Sequence, residues 1–133
     1  YAIIFYDIDH FKKINDNYGH TCGDAVLKNF ASILKKLTRA EDVIARYGGE
    51  EFIALINYEK EEVQGYIKRV KNTINSTNFI YKEESIHIKF SAGVTYRNNY
   101  DSYLDAKKRA DELLYEAKSK GRDRIIFDDQ IEI

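Results

Sequence analysis

Asp7-Ile8-Asp9 places two carboxylates two positions apart at the end of an apolar run, Tyr1 to Tyr6. In an extended strand alternate side chains share a face, so Asp7 and Asp9 can point the same way. Two acids at a strand end are hard oxygen ligands suited to Mg²⁺; alone, they are equally well a solvated strand end. A second acidic pair, Glu50 and Glu51, follows Gly48-Gly49. Two glycines between β-patterned segments predict a tight hairpin, because they supply positive φ at no steric cost. They also leave the backbone open to close approach by a phosphate chain. If that hairpin lies beside the first strand, Asp7 and Glu50 converge on one metal site. Two metal ions held there can activate a hydroxyl nucleophile and neutralise a triphosphate, as in polymerase-type phosphoryl transfer.

Such chemistry needs cations opposite the acids. Lys12 lies one helical turn beyond the first strand, and Lys118 and Arg122 stand four apart at the end of the last long helix. Basic residues also suit helix C-termini and exposed faces for ordinary reasons. Asn15 and Asp24 are of the types that read guanine: a carboxylate accepts from the ring N–H and the exocyclic amine, and an amide both donates and accepts. Capping and turn formation are the commoner uses of both types. The chain has no Gly-rich phosphate loop of the Walker or dinucleotide kind. Phosphate chemistry here must therefore rest on metal and on isolated cations.

The elements that position these residues read as follows. A buried strand spans Tyr1 to Asp7, a short helix His10 to Asn17, and Gly19 ends it. A longer helix covers Thr21 to Leu37, with Val26, Leu27, Phe30, Ile33, Leu34 and Leu37 at helical spacing. Strands Val43–Tyr47 and Glu51–Asn57 flank the glycine pair. A helix covers Glu59–Ser76, a strand Ile86–Tyr96, a last long helix Ser102–Ser119 stopped by Gly121, and a strand Arg124–Phe127. Strands alternating with helices, plus one hairpin, predict a mixed sheet covered by helices.

At 133 residues the chain is the size of one domain, and a net charge of −1 excludes the basic field of a general nucleic-acid binder. One cysteine, Cys22, permits no internal disulfide and fits a reducing compartment. No apolar run is long enough to cross a bilayer. With no methionine, and with residue 1 already in a strand pattern, the chain reads as a piece of a longer protein.

The pieces also occur together and in order. Asp7-Ile8-Asp9-His10-Phe11-Lys12-Lys13-Ile14-Asn15-Asp16, then Gly19-His20 and Gly23-Asp24, resemble the opening signature of GGDEF domains, found in bacterial diguanylate cyclases. Arg46-Tyr47-Gly48-Gly49-Glu50-Glu51-Phe52 is similar to the name-giving motif in its GGEEF form. Ser91-Ala92-Gly93-Val94 resembles a later strand, and Ala110-Asp111, Leu114-Tyr115, Ala117-Lys118 and Gly121-Arg122 the closing helix. The resemblance covers nearly the whole chain.

The resemblance implies an α+β fold with a central mixed, mainly antiparallel sheet of about five strands flanked by helices, like the palm and nucleotidyl-cyclase folds. It implies that residues 1–133 are a single GGDEF domain, cytoplasmic, without the usual N-terminal helix or an upstream sensor domain. The implied reaction condenses two GTP into cyclic di-GMP and two pyrophosphates. Two domains face each other as a catalytic homodimer, and each ribose 3′-hydroxyl attacks the other nucleotide's α-phosphorus. Asp7, Glu50 and the Ile8 carbonyl would hold Mg²⁺ or Mn²⁺. Glu51 would lie near the reacting hydroxyl, and Gly48 and Gly49 would line the phosphates. Lys12, Lys118 and Arg122 would neutralise the triphosphate, and Asn15, His20 and Asp24 would surround the guanine nucleotide. Asp9 would be secondary.

Arg39-Ala40-Glu41-Asp42 matches the family's RxxD inhibitory motif in spacing. By resemblance Arg39 and Asp42 would bind product, with Arg69 as a contact from a partner domain. A helix-end salt bridge is the ordinary reading of those four residues. Asp123 stands where the family commonly has Asn, and its charge is expected to weaken phosphate binding at Arg122 slightly. Two alternatives stand beside the cyclase. One is a catalytically silent module that binds GTP or cyclic di-GMP to control a neighbouring domain. The other is a different nucleotide cyclase or palm-like polymerase.

Overall fold

The computed structural model describes residues 1–57, 59–98 and 101–133. In chain order the elements are β1 (Ala2–Ile8), α1 (Phe11–Tyr18), α2 (His20–Leu37), β2 (Val43–Gly48), β3 (Glu51–Ile56), α3 (Lys60–Ser76), β4 (Phe79–Tyr81), β5 (Glu84–Ile86), β6 (Phe90–Tyr96), α4 (Tyr103–Ser119) and β7 (Ile125–Phe127). Five strands form one sheet in the order β2-β3-β1-β6-β7. All its pairs are antiparallel except β6–β7, so the sheet is mixed and mainly antiparallel, as expected.

The apolar run at the start of the chain becomes the central strand. All seven residues of β1 are buried, because both edges are paired and both faces are covered. Alternation then divides its side chains. Ala2, Ile4, Tyr6 and Ile8 enter a core built with α1, α2 and α3, whereas Ile3 and Phe5 pack with Ala106, Ala110 and Leu114 of α4. The first core is rich in rings: Phe30 meets Phe52 at 5.2 Å and Phe90 at 5.7 Å between centroids. The buried Tyr6 and Tyr66 hydroxyls share a 3.0 Å hydrogen bond that ties α3 to β1.

Two expectations are corrected. The strand expected over Ile86–Tyr96 is two strands, β5 and β6. Ile86, Ile88 and Phe90 are all buried, so alternation runs unbroken through the gap and hides it. The ladder nevertheless ends where β1 does, with Ile8 opposite Phe90. Upstream of that point β5 pairs instead with β4, through a turn with Lys82 and Glu83 at positive φ. The glycine hairpin is also shifted by one residue. Gly48 pairs with Glu51 inside the ladder, so the turn itself is Gly49 and Glu50. Only Gly49 uses positive φ, 44°.

Gly93 sets how closely α4 can approach the sheet. A Cβ there would lie 2.3 Å from the Ala110 carbonyl oxygen and 2.4 Å from the Leu114 nitrogen, which is backbone that cannot step aside. Gly93→Ala is therefore expected to cost about 2 kcal/mol or more of stability through overpacking, measured as a fall in the urea midpoint with an unchanged m value.

Candidate functional site

The register brings the two acidic pairs to one end of the sheet. Asp7 is directly opposite Glu51 of β3, and the Ile8 N–H donates to the Glu50 carbonyl at 3.3 Å. The hairpin is thus bonded to the end of β1, the adjacency on which a shared site depends. Arg46 braces the turn from below, its Nε donating to the Gly49 carbonyl at 2.8 Å. Among the described residues, chain neighbours aside, no atom lies within 4 Å of where a Cβ on Gly48 or Gly49 would be, so the space above the hairpin is open.

Asp7 is nearly buried, at 4% exposure. Its parity points it toward α4, where Lys118 of the last helical turn forms an ion pair with Oδ2. Lys118, expected on a triphosphate, is seated here on the acid. Burial pushes the Asp7 carboxyl up, Lys118 pulls it back, and Glu50 and Asp9 add to the rise. Glu51 is raised for the same first reason, burial, with the charge of Asp7 next and those of Asp111 and Glu50 adding to it against Lys118. The charge of Glu50 thus bears on both Asp7 and Glu51, and that of Asp7 on Glu51, which places the three acids in one electrostatic neighbourhood.

Asp9 lies one residue beyond β1 and does not share the surroundings of Asp7. Its Oδ1 accepts from the Ser91 hydroxyl at 2.6 Å and its Oδ2 from the Asp123 N–H at 2.9 Å. Strand parity ranked it with Asp7; the turn that begins at Asp9 ends that parity, and both oxygens serve the fold.

The donor set suits a hard divalent cation. Asp7, Glu50 and the Ile8 carbonyl offer only oxygens. Among the described residues no group of three or more His, Cys, Asp or Glu side chains forms a protein-only cage. Mg²⁺ is commonly held by one or two carboxylates with substrate phosphates completing its shell. The ammonium of Lys118 beside Asp7 shows that this carboxylate meets a positive charge in the folded chain.

The expected base readers meet through a glycine. Asn15 Oδ1 is buried without a hydrogen-bond partner among the described residues, and it stands 1.8 Å from where a Cβ on Gly23 would be. Gly23 therefore makes room for the Asn15 amide, and the neighbouring Asp24 is exposed. Asp24 lines a groove of about 950 Å³ between α2 and the hairpin strands, with Leu27, Arg46 and Phe52. Among the described residues the Asn29 Oδ1 and the Tyr96 hydroxyl are likewise buried without a hydrogen-bond partner, and Asn15 does not line the groove at Asp24. His20, the first residue of α2, and Lys12, in the first turn of α1, are both exposed. Arg122 follows α4 and shares a cavity of about 490 Å³ with His10 and Lys13 of the β1–α1 segment.

Arg39 and Asp42 lie in the turn between α2 and β2. Asp42 accepts from the Arg39 N–H at 3.0 Å and from the Asn57 N–H at 3.2 Å, and its side chain has no exposure. The Arg39 guanidinium donates to the Asn57 carbonyl at 2.7 Å and pairs with Glu41 at 3.2 Å. Arg69 is exposed on α3, beside Glu61, Glu62 and Gly65.

Ser91, Leu27 and the bracing role of Arg46 were not assigned from sequence. Ser91 lies in a quoted strand motif, but nothing in its spacing to Asp9 announces the contact. Arg46 sits in the hairpin motif, which was the available signal.

A family model described as "Diguanylate cyclase, GGDEF domain" matches residues 1–124. The chain is 40% identical over 126 residues to diguanylate cyclase A of Treponema denticola, covering 93% of this chain and 34% of that relative's length. It is similar to the solved GGDEF domain of DgcB from Caulobacter crescentus, in complex with c-di-GMP, at TM-score 0.89 and 31% identity over 95% of this chain and 76% of that one. The active GGEEF domain of a diguanylate cyclase from Vibrio cholerae matches at TM-score 0.84 and 34% identity, covering 95% and 81% of the two chains.

The raised acids carry a sign that can be checked. A carboxyl whose folded pKa lies above its unfolded value favours the fold at low pH, and that contribution is lost as pH rises through the raised value. Without divalent ions, Glu51→Gln should therefore gain stability relative to the unsubstituted protein as pH rises from about 4 to about 7. Urea midpoints across that range measure it; a difference, variant minus unsubstituted, that falls with rising pH contradicts the assignment.

Proposed function

The chain belongs to the GGDEF family of diguanylate cyclase domains, and on that premise we propose that it condenses two GTP into cyclic di-GMP, releasing two pyrophosphates, as a homodimer of two such domains. The observation that carries this reading is the single acidic cluster that Asp7, Glu50 and Glu51 form where the hairpin is bonded to the end of β1. Residues 1–133 are one such domain of a longer cytoplasmic protein.

Each residue has a part in that reaction. Asp7 and Glu50, with the Ile8 carbonyl, would hold Mg²⁺ or Mn²⁺, which supplies Lewis-acid neutralisation of the triphosphate and lowers the pKa of a bound hydroxyl. Glu51, its carboxyl raised, lies one strand across from Asp7 and can take up the ribose 3′ proton. Asn15 and Asp24 orient guanine from the α1 and α2 side. Gly48 and Gly49 leave the hairpin backbone open to the phosphates. Lys118 compensates Asp7; with a metal held at Asp7 it would, with Lys12 and Arg122, neutralise the phosphates. Only one nucleotide's share of these groups lies on one chain. The attacking hydroxyl comes from the facing copy.

Product binding at Arg39, with Arg69 from the facing copy, is part of the same proposal. Asp42 serves chiefly to hold the turn that presents Arg39, since both its oxygens are engaged by backbone N–H groups.

The test is product formation by the full-length protein with GTP and Mg²⁺, resolved by chromatography. Glu50→Gln should lower turnover by about 100-fold or more while the protein stays folded. In the same assay Arg39→Ala should keep initial turnover and relieve the late slowing caused by product. Absence of cyclic di-GMP from the unsubstituted dimer, with nucleotide binding intact, would leave the domain a binding module.

A further inference from the structure

Three consecutive residues after α4 have positive φ: Gly121 at 117°, Arg122 at 65° and Asp123 at 50°. Two of them carry side chains, for which this region is unfavourable unless the surroundings hold it. The surroundings here hold it from several elements. The Arg122 N–H donates to the Ala117 carbonyl at 3.0 Å, and the Arg124 Nε donates to the Arg122 carbonyl at 3.0 Å. Asp9, at the end of β1, accepts from the Asp123 N–H at 2.9 Å.

The remaining holds come from Lys71 of α3 and from Lys89. Lys71 Nζ donates to the Asp123 carbonyl at 3.1 Å and to its carboxylate Oδ1 at 2.9 Å. Lys89 Nζ lies 3.5 Å from Oδ2. Lys71 is well shielded, with 18% side-chain exposure, whereas Lys89 has 57%. A charge-assisted bond shielded from water is the stronger of the two. The Asp123 carboxylate is therefore turned onto two lysines, which offset its charge. Ser91 in turn fixes the Asp9 carboxylate at 2.6 Å. The chain Ser91–Asp9–Asp123–Lys71 thus links β6, the end of β1, the strained turn and the middle of α3.

We infer that Asp123 and Lys71, with Asp9, form a clamp that holds the strained turn so that Arg122 faces the phosphates of the bound nucleotide. They are positioning residues. The inference rests on the reading of Arg122 as a phosphate ligand; Arg122 itself lines the cavity that also touches His10 and Lys13 of the β1–α1 segment. Nothing in the clamp reaches the base groove at Asp24, so it tunes the grip on phosphates and leaves base recognition unchanged.

The experiment is a double-mutant cycle on the full-length protein, read as affinity for a GTP analogue lacking the 3′-hydroxyl, with Mg²⁺, by calorimetry. Arg122→Ala is expected to weaken binding about tenfold, and Lys71→Met about three- to fivefold, as for loss of one charge-assisted contact. Because Lys71 acts through Arg122, adding Lys71→Met to Arg122→Ala should cost nothing more. Affinity for guanosine, which has no phosphates, should be the same in all four proteins. Unchanged affinity in Lys71→Met, or losses that multiply in the double variant, overturns the clamp while leaving the phosphate role of Arg122 standing. Unchanged affinity in Arg122→Ala overturns both. Should Lys71→Met melt below the assay temperature, Asp123→Asn takes its place in the cycle. It keeps an acceptor and tolerates the positive φ, and its smaller loss should likewise vanish in the Arg122→Ala background.

Discussion

The chemistry-bearing end of this domain depends on one strand being paired along both edges and covered on both faces. β1 is that strand. Its burial fixes its direction, its register and the parity of each side chain, and it ends in a carboxylate that is almost out of water. A buried carboxylate is costly unless a cation answers it. Asp7 is answered by Lys118. Burial lifts its proton affinity, and Glu51 is raised first by its own burial and next by the charge of Asp7. The fold thus supports a nearly buried carboxylate whose charge is met by a lysine.

Three other elements converge on the end of β1. The β2–β3 hairpin is tied to it through Ile8 and Glu50, and α4 is drawn onto the sheet by the absence of a side chain at Gly93. That close approach sets where the last turn of α4, and so Lys118, stands. The α1–α2 pair is packed by Phe11, Ile14, Val26 and Phe30 against the opposite face, and it carries Asn15 and Asp24 around the closely fitted Gly23. The acids, Lys118 and the Asn15–Asp24 pair therefore come from separate layers, each registered to the same strand.

Much of this was legible in the sequence, because the strongest local signals coincide with the site. An unbroken apolar run read as a buried strand, and the glycine pair read as a hairpin. The mixed sheet follows from the alternation of elements. What escaped were features decided by tertiary pairing. The pattern Ile86, Ile88, Phe90 cannot show that its sheet partner stops at Ile8. Gly48-Gly49 cannot say which pair of residues forms the turn, and the bulge between Arg46 and Gly48 puts Glu50 on it. Asp9 looked equivalent to Asp7 by parity, but its partners Ser91 and Asp123 are 82 and 114 residues away in the chain. Spacing carries no information about contacts of that range.

The central claim is that Asp7, from β1, and Glu50, from the hairpin turn, hold one metal ion between them. Mn²⁺ binding to the full-length protein, followed by electron paramagnetic resonance with a GTP analogue lacking the 3′-hydroxyl, tests it in four proteins: unsubstituted, Asp7→Asn, Glu50→Gln and the double variant. A shared site predicts that each single substitution weakens Mn²⁺ binding by about tenfold or more, and that the double variant is little worse than the weaker single one. A single variant that binds Mn²⁺ as the unsubstituted protein does, or losses that multiply, would contradict it.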